Sequence, residues 1–264
     1  MKQLIAAAIA VSTLSTATFA EDNGLAAYGL TLTGNVALTS DYRWRGVTQT
    51  ENDPAIQGSF TLAHSSGLYF SAFASNVDFG AGTKAHLELD PSIGFTTPLN
   101  FGSLKPNLDV GLVYYNYPSG GNINWPELYA KLTFADAFVK GDSIVPSISY
   151  TNQYGGSEGK VDGKKVSNWN FNLAYSAPFA DTGFGGVASV GYSKADKNIY
   201  SINANGDATD KDFFDWKVGV TYNVKAVSGL TAELDAVGTN IDNYDHTLKR
   251  GAETGAVFTL TKTF

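Results

Sequence analysis

From Leu30 onward, apolar side chains recur at nearly every second position, and this alternation returns about a dozen times before the chain ends. In the first segment Leu30, Leu32, Val36, Leu38, Tyr42 and Trp44 are separated by Thr31, Thr33, Asn35, Thr39, Asp41, Arg43 and Arg45. Successive side chains of a strand point to opposite faces, so each such segment has one greasy face and one wet face. Ile56, Phe60 and Leu62 alternate with Gln57, Ser59 and Thr61, and Leu87, Leu89, Ile93 and Phe95 with Glu88, Asp90 and Ser92. Trp169, Phe171, Leu173 and Tyr175 are spaced by Asn168, Asn170 and Asn172, and Phe214, Trp216, Val218, Val220 and Tyr222 by Asp215, Lys217, Gly219 and Thr221. Weaker versions lie near 67–77, 107–116, 125–134, 144–152, 184–192, 230–238 and 252–264. Segments of roughly ten residues suit a tilted membrane strand of about 9–11 residues better than an average strand of about 5–6.

Composition agrees with strands. The 264 residues include 28 Gly, 14 Tyr and 16 Phe but one Met, and 16% are charged, too few for a disordered chain. A formal charge of −7 argues against nucleic acid, whose phosphates must be neutralised by Lys and Arg. With no cysteine there is no disulfide framework, no thiolate metal site and no lipid-modified Cys.

Lys2 precedes an apolar run over 4–11, and Thr18-Phe19-Ala20 puts small side chains three and one residues before a cut. This pattern predicts a signal peptide, 1–20, cleaved after Ala20, with 21–264 forming one domain. No domain boundary or low-complexity linker interrupts the repeats. A first strand rising from the periplasm predicts outer loops at 153–167, 193–212 and 239–251. It predicts inner turns at 63–66, 176–183 and 225–229, with 96–104 and 135–143 longer than ideal.

Alternation alone permits a soluble sandwich or an inward-greasy barrel. Three features favour lipid outside. Charges sit on the wet faces in mid-segment: Asp41, Arg43, Arg45, Glu88, Asp90, Asp109, Glu127, Lys131, Asp215, Lys217, Glu233 and Asp235. Aromatics gather near apparent strand ends (Tyr42, Trp44, Tyr114, Trp169, Tyr175, Tyr222), as rings do at the headgroup level. The closing strand, with Phe258, Leu260 and a terminal Phe264, resembles the signal read by the outer-membrane barrel assembly machinery. Lys262 shares that parity, and its long stem places it at the periplasmic rim. The expected fold is all-β: one antiparallel transmembrane β-barrel of about twelve strands in a bacterial outer membrane.

The block from Gly34 to Thr50, with Ser40-Asp41-Tyr42-Arg43-Trp44-Arg45-Gly46, continues through Asp53-Pro54-Ala55-Ile56-Gln57-Gly58-Ser59-Phe60. It resembles the N-terminal block of the TorF-family porins, proteobacterial proteins also called Gcw_chp. Gly67-Leu68-Tyr69, Ala74-Ser75-Asn76-Val77-Asp78-Phe79, Glu88-Leu89-Asp90 and the Thr261-Lys262-Thr263-Phe264 ending are similar too. The likeness runs from about residue 34 to the end and is dense in the first third. Trp44 stands where the family has Phe or Tyr, read as an exchange of interfacial aromatics. The resemblance implies an outer-membrane barrel and supplies no substrate.

Asp41, Arg43 and Arg45 are expected on one face of the first strand, and Glu88 and Asp90 on one face of the fourth. Such charges either form a constriction that selects solutes or pair with one another in a narrow lumen. A twelve-strand barrel lies between filled eight-strand barrels and wide porins, so both remain open. Among the twelve lumen charges eight are acidic and four basic, which favours cations or neutral solutes.

His64, His86 and His246 are the three imidazoles. None stands in a recognisable hydrolase motif, and His246 beside Asp242 and Asp245 reads as a polar loop. Gly155-Gly156-Ser157-Glu158-Gly159 reads as a mobile loop tip. The expected function is a passive channel for small hydrophilic solutes or ions, without cofactor, metal or catalysis. Membrane lipid and the assembly machinery are its expected partners. The alternatives are a closed barrel whose outer loops bind a partner and, third, a barrel hydrolase.

Overall fold

The structure, a computed structural model, describes residues 24–80, 83–102 and 104–264. The expected signal peptide lies outside the described residues. Twelve antiparallel strands close into a barrel: β1 (Leu30–Thr39), β2 (Ala55–His64), β3 (Leu68–Asn76), β4 (Leu87–Pro98), β5 (Asn107–Tyr115), β6 (Trp125–Ala135), β7 (Ser143–Thr151), β8 (Asn168–Pro178), β9 (Phe184–Ala195), β10 (Asp212–Asn223), β11 (Leu230–Thr239) and β12 (Gly255–Thr263). Each strand pairs with its sequence neighbour, and β1 closes on β12 from Asn35↔Thr263 to Thr39↔Thr259. Closure leaves no free sheet edge along the ring, the condition for a sheet to sit in hydrocarbon, where no water can satisfy backbone groups. The ladder between β6 and β7 skips from Lys131↔Ser147 to Phe134↔Ile144 at Pro146, which has no N–H to donate.

Strand parity separates the faces as the sequence dictates. Val36, Leu38, Ile56, Phe60, Leu89, Ile93, Phe171, Leu173, Val218, Val220, Leu234 and Phe258 are exposed on the outer surface. Their neighbours Ser75, Glu88, Asp90, Glu127, Ser149, Asn168, Asn170, Ser193, Asp215 and Asp235 are buried inside. An apolar belt of this extent is stable against acyl chains rather than water. Trp169 and Tyr114 are exposed on this belt as expected, and Phe258 and Phe264 lie on it too. The Lys262 ammonium is 4.6 Å from the Phe264 ring centre and donates to the Thr263 carbonyl at 2.7 Å.

Short turns (65–67, 99–106, 136–142, 179–183, 224–229) join the strands at the end that also holds Leu30 and Phe264. Longer loops (40–54, 77–86, 116–124, 152–167, 196–211, 240–254) crown the other end. The alternation of long and short links therefore matches the expectation.

One reading of the first segment is overturned. β1 stops at Thr39, because Ser40 closes onto β12: its N–H donates to the Phe258 carbonyl at 2.8 Å and its hydroxyl accepts the Phe258 N–H at 2.9 Å. Residues 40–54 then turn into the lumen as a ribbon, Arg43–Trp44 against Val47–Thr48. A ribbon has the same period of two as a strand, which is why the alternation ran on without a break. Asp41, Arg43 and Arg45 thus stand on an inserted hairpin, not on the first strand. Tyr42 and Trp44, read as interfacial rings, are each 4% exposed inside the barrel. The glycine run at 155–159 also differs from a mobile tip: Gly155, Gly156 and Gly159 are buried, and the Ser157 and Glu158 N–H groups donate to the Asn122 carbonyl at 2.7 and 3.1 Å.

Candidate functional site

The lumen divides into two halves. In the half nearest the turns, inward positions carry short hydroxyl side chains and a few ion pairs that keep contact with solvent. Lys131 on β6 meets Asp109 on β5 at 3.2 Å. Lys217 on β10 meets Glu233 at 2.7 Å and Asp235 at 3.6 Å, both on β11. These two clusters lie on opposite arcs of the ring. The Tyr69 hydroxyl donates to Asp109 at 2.6 Å and touches the Tyr129 hydroxyl. Gly94 and Gly111 make room for those rings: a Cβ at either position would collide with the Tyr69 or Tyr129 side chain. Asp215 and Asp235 likewise lie flat against Gly191 and Gly219, where a Cβ would strike their carboxylates.

The half nearest the loops is filled by the 40–54 hairpin. Arg45 and Gly46 have φ of 47° and 77°, the left-handed pair that a two-residue type I′ hairpin turn needs. The hairpin is braced from within. The Asp41 carboxylate accepts from Arg43 Nε at 2.5 Å, Thr48 Oγ1 at 2.6 Å and Thr50 Oγ1 at 3.3 Å. Arg43 also donates to the carbonyls of Gly46, Gly251 and Glu253 at 3.0–3.1 Å and to Asn52 Oδ1 at 2.7 Å. Every nitrogen of that planar fork has an oxygen.

At its tip the hairpin reaches the far wall. Arg45 Nη2 donates to both oxygens of Glu127 on β6, at 2.8 and 3.0 Å, and to Ser149 Oγ on β7 at 2.9 Å. β7 is six positions from β1 in a ring of twelve, directly across the lumen. Burial disfavours the Arg45 charge, but Glu127 outweighs it and holds the guanidinium pKa above its ordinary value. The guanidinium also lies 3.9 Å from the Trp44 ring centre. Around it Trp44, Tyr115, Trp125 and Tyr154 pack edge-on or tilted, apart from the stacked Trp44–Tyr154 pair, with centroids 4.3–6.4 Å apart. Tyr200 and Phe213 continue the cluster. Glu88, fully buried on β4, accepts from the Tyr117 hydroxyl at 3.0 Å; burial pushes that phenol well up, so it is a neutral donor. Asp90 accepts the Asn116 N–H at 3.0 Å.

All twelve charges singled out in the sequence therefore face the interior, nine from the wall and Asp41, Arg43 and Arg45 from the hairpin. What sequence parity missed is the aromatic packing of Tyr115, Tyr117, Trp125, Tyr154 and Tyr200. Tyr115 and Trp125 share the wet parity with Glu127, and a large ring on an otherwise polar face was the available signal. His246 starts a short helix, His246–Ala252, capped by the Asp245 carboxylate through the Thr247 and Leu248 N–H groups. Among the described residues no cluster of His, Cys, Asp or Glu could hold a metal ion.

No curated protein matches the chain in sequence. Among solved structures it is similar to the NanC porin at 9% identity and a TM-score of 0.52, over 88% of this chain and 98% of that one. The COG4313 outer membrane channel from Pseudomonas putida F1 aligns at 13% identity and a TM-score of 0.45, over 88% and 95%. OpdL of Pseudomonas aeruginosa aligns at 14% identity and a TM-score of 0.43, over 89% of this chain and 68% of that one. At such identities the first of these likenesses supports the fold. The model of the family described as "Bacterial protein of unknown function (Gcw_chp)" matches residues 23–264, and so the chain belongs to the Gcw_chp family.

Proposed function

We propose that this protein is an outer-membrane channel for passive diffusion of small hydrophilic solutes or ions, with a preference for cations and neutral solutes. The observation that carries the reading is the pairing of an apolar outer belt with an inner wall of hydroxyls and charges. In the half nearest the turns those charges remain in contact with solvent: the Lys131 and Asp109 side chains are 21% and 23% exposed. A filled structural barrel would bury them. The eight acids and four bases facing the lumen repel anions on balance. No covalent chemistry is required for this role, and the imidazoles take no part in it. NanC, named as a porin, agrees with this reading.

In this role the chain is exported by its first 20 residues, cleaved after Ala20, and inserted by the assembly machinery through Phe258, Leu260 and Phe264. The loop end faces outward and the turn end faces the periplasm. N-terminal sequencing of the membrane-extracted protein checks the cut; a mature chain that begins elsewhere removes it. Planar-bilayer recording of the refolded mature protein tests the channel itself, with discrete conductance and a cation-side reversal potential expected. Conductance no greater than bare lipid would overturn it. A second reading, a closed barrel whose loops bind a partner, is favoured by the aromatic filling of the loop half.

A further inference from the structure

We infer that the 40–54 hairpin is a gate that leaves the lumen as one body, with Arg45 as the residue that latches it shut and sets the pore's selectivity there. This rests on the channel reading above.

Three observations carry it. First, the hairpin is internally complete: Asp41, Arg43, Thr48, Thr50 and Asn52 satisfy one another and the turn carbonyl of Gly46. It can therefore move without unfolding, as hinged elements do. Second, it is attached on one side of the rim. Its stems join β1 and β2, which remain paired up to Thr39↔Ala55, and its Arg43 clamp grips the 240–254 loop between β11 and β12. These four strands are contiguous. On the neighbouring wall the Gln49 carbonyl accepts the Asp78 N–H at 2.8 Å and Tyr42 meets Glu88 on β4; among the described residues the hairpin's side-chain hydrogen bonds to β6 and β7, directly across the lumen, come from Arg45, to Glu127 and Ser149.

Third, the tip contact is incompletely satisfied. Arg45 Nη1 on the hairpin and Trp125 Nε1 on β6 are buried without a protein partner among the described residues, as are Gln49 Oε1 and single atoms of Glu88, Asp90, Asn168, Asp215 and Asp235 around the lumen wall. Permanent cores satisfy such atoms, because each costs free energy when left alone. An interface that also has to separate tolerates them.

Selectivity follows from position. When the hairpin swings aside, Arg45 is withdrawn from Glu127, and the carboxylates of Glu88, Asp90, Glu127 and Asp215 then line the widened passage without a basic side chain among them. With Arg45 in place, one fixed cation sits amid those four acids and opposes cation passage.

The protein has no cysteine, so an engineered pair is unambiguous. Arg45→Cys/Glu127→Cys, bridged by a reducible bis-thiol reagent about as long as the Arg45 side chain, ties the hairpin tip to the far wall where the latch stands. Bilayer conductance should be near baseline in this bridged, oxidised form and rise about tenfold on reduction, the shift expected when a latch-sized constraint is lifted. Arg45→Asn, chosen because Asn tolerates the left-handed turn, should raise conductance without reductant and move the reversal potential further toward cations. Slower migration after boiling than in cold SDS, or the reverse, establishes that each variant is a folded barrel. Equal conductance oxidised and reduced overturns the moving hairpin and leaves the channel reading standing. Arg45→Asn indistinguishable from the parent overturns Arg45 as latch. Folded protein with no conductance in any form overturns the channel reading, and the gate with it.

Discussion

In the half of the barrel nearest the turns, Lys131 and Asp109 keep 21% and 23% of their side-chain surface in solvent; in the half nearest the loops, Arg45 and Glu127 keep 10% and 0%. Each pair sets a basic side chain against a carboxylate on the polar face of the sheet, but Lys131 comes from the sheet and Arg45 from the inserted hairpin. The difference lies in what fills the space between the walls. Short hydroxyl side chains leave the turn half accessible, whereas one hairpin carrying Tyr42, Trp44 and Arg45 seals the loop half. Whether a barrel of this size is open depends less on its strands than on whether a loop folds into it. The energetic weight of the pairs differs accordingly, since a buried pair leaves an uncompensated charge when one partner is lost and a wet pair does not.

The largest expected effect removes that difference outright. Replacing 41–52 by a short glycine-serine turn should raise single-channel conductance about tenfold or more, because the wide mouth of a barrel then limits the flow. An unchanged conductance would mean that the remaining loops alone close the lumen. Glu127→Gln comes next: it strands Arg45 in an aromatic surround and should cost about 3 kcal/mol of stability, read by urea unfolding in lipid vesicles. Asp109→Asn, the matching change in the turn half, should cost about 1 kcal/mol or less while moving the reversal potential away from cations. If the two carboxylates cost the same, the contrast between the halves fails.

The smallest effect lies at the turn end, outside both halves. Burial pushes the Asp142 carboxyl up, but the N–H groups of Val139, Phe138 and Ala137 and the Tyr175 hydroxyl together hold its pKa below the usual value. A depressed folded-state pKa contributes stability that is fully present above the ordinary carboxyl value of about 4 and fades as pH falls through the folded value. Asp142→Asn should therefore melt below the parent at pH 7, and the gap between the two melting temperatures should narrow steadily as pH is lowered below about 4. A gap that does not narrow below about pH 4 would show that the carboxylate's charge is not what holds the turn.

Much of this molecule was legible from particular residues. Leu87, Leu89, Ile93 and Phe95 against Glu88 and Asp90 gave β4 both of its faces. Long links at 153–167 and 239–251 gave the loop end, because a tilted strand of ten residues leaves unambiguous gaps. Residues 40–45 were misread because strand and inserted ribbon share a period of two and both alternate rings with charges. Tyr115 and Trp125 were missed as lumen aromatics for a related reason: parity tells which face a ring is on, not what stands across from it.

The alternation of side chains by itself determined about a dozen strands, each with one greasy and one wet face, since parity is a local property of each strand; it took the mid-strand charges, the aromatics at strand ends and the closing Phe264 strand to turn the greasy face outward in a closed sheet, whose closure satisfies the backbone in lipid. The occlusion of one half of the lumen, and the meeting of Arg45 with Glu127 across 82 positions of chain, were decided by tertiary structure alone. A contact across a lumen depends on strand order, register and the direction a loop takes at the rim, and none of these leaves a periodic trace in the sequence.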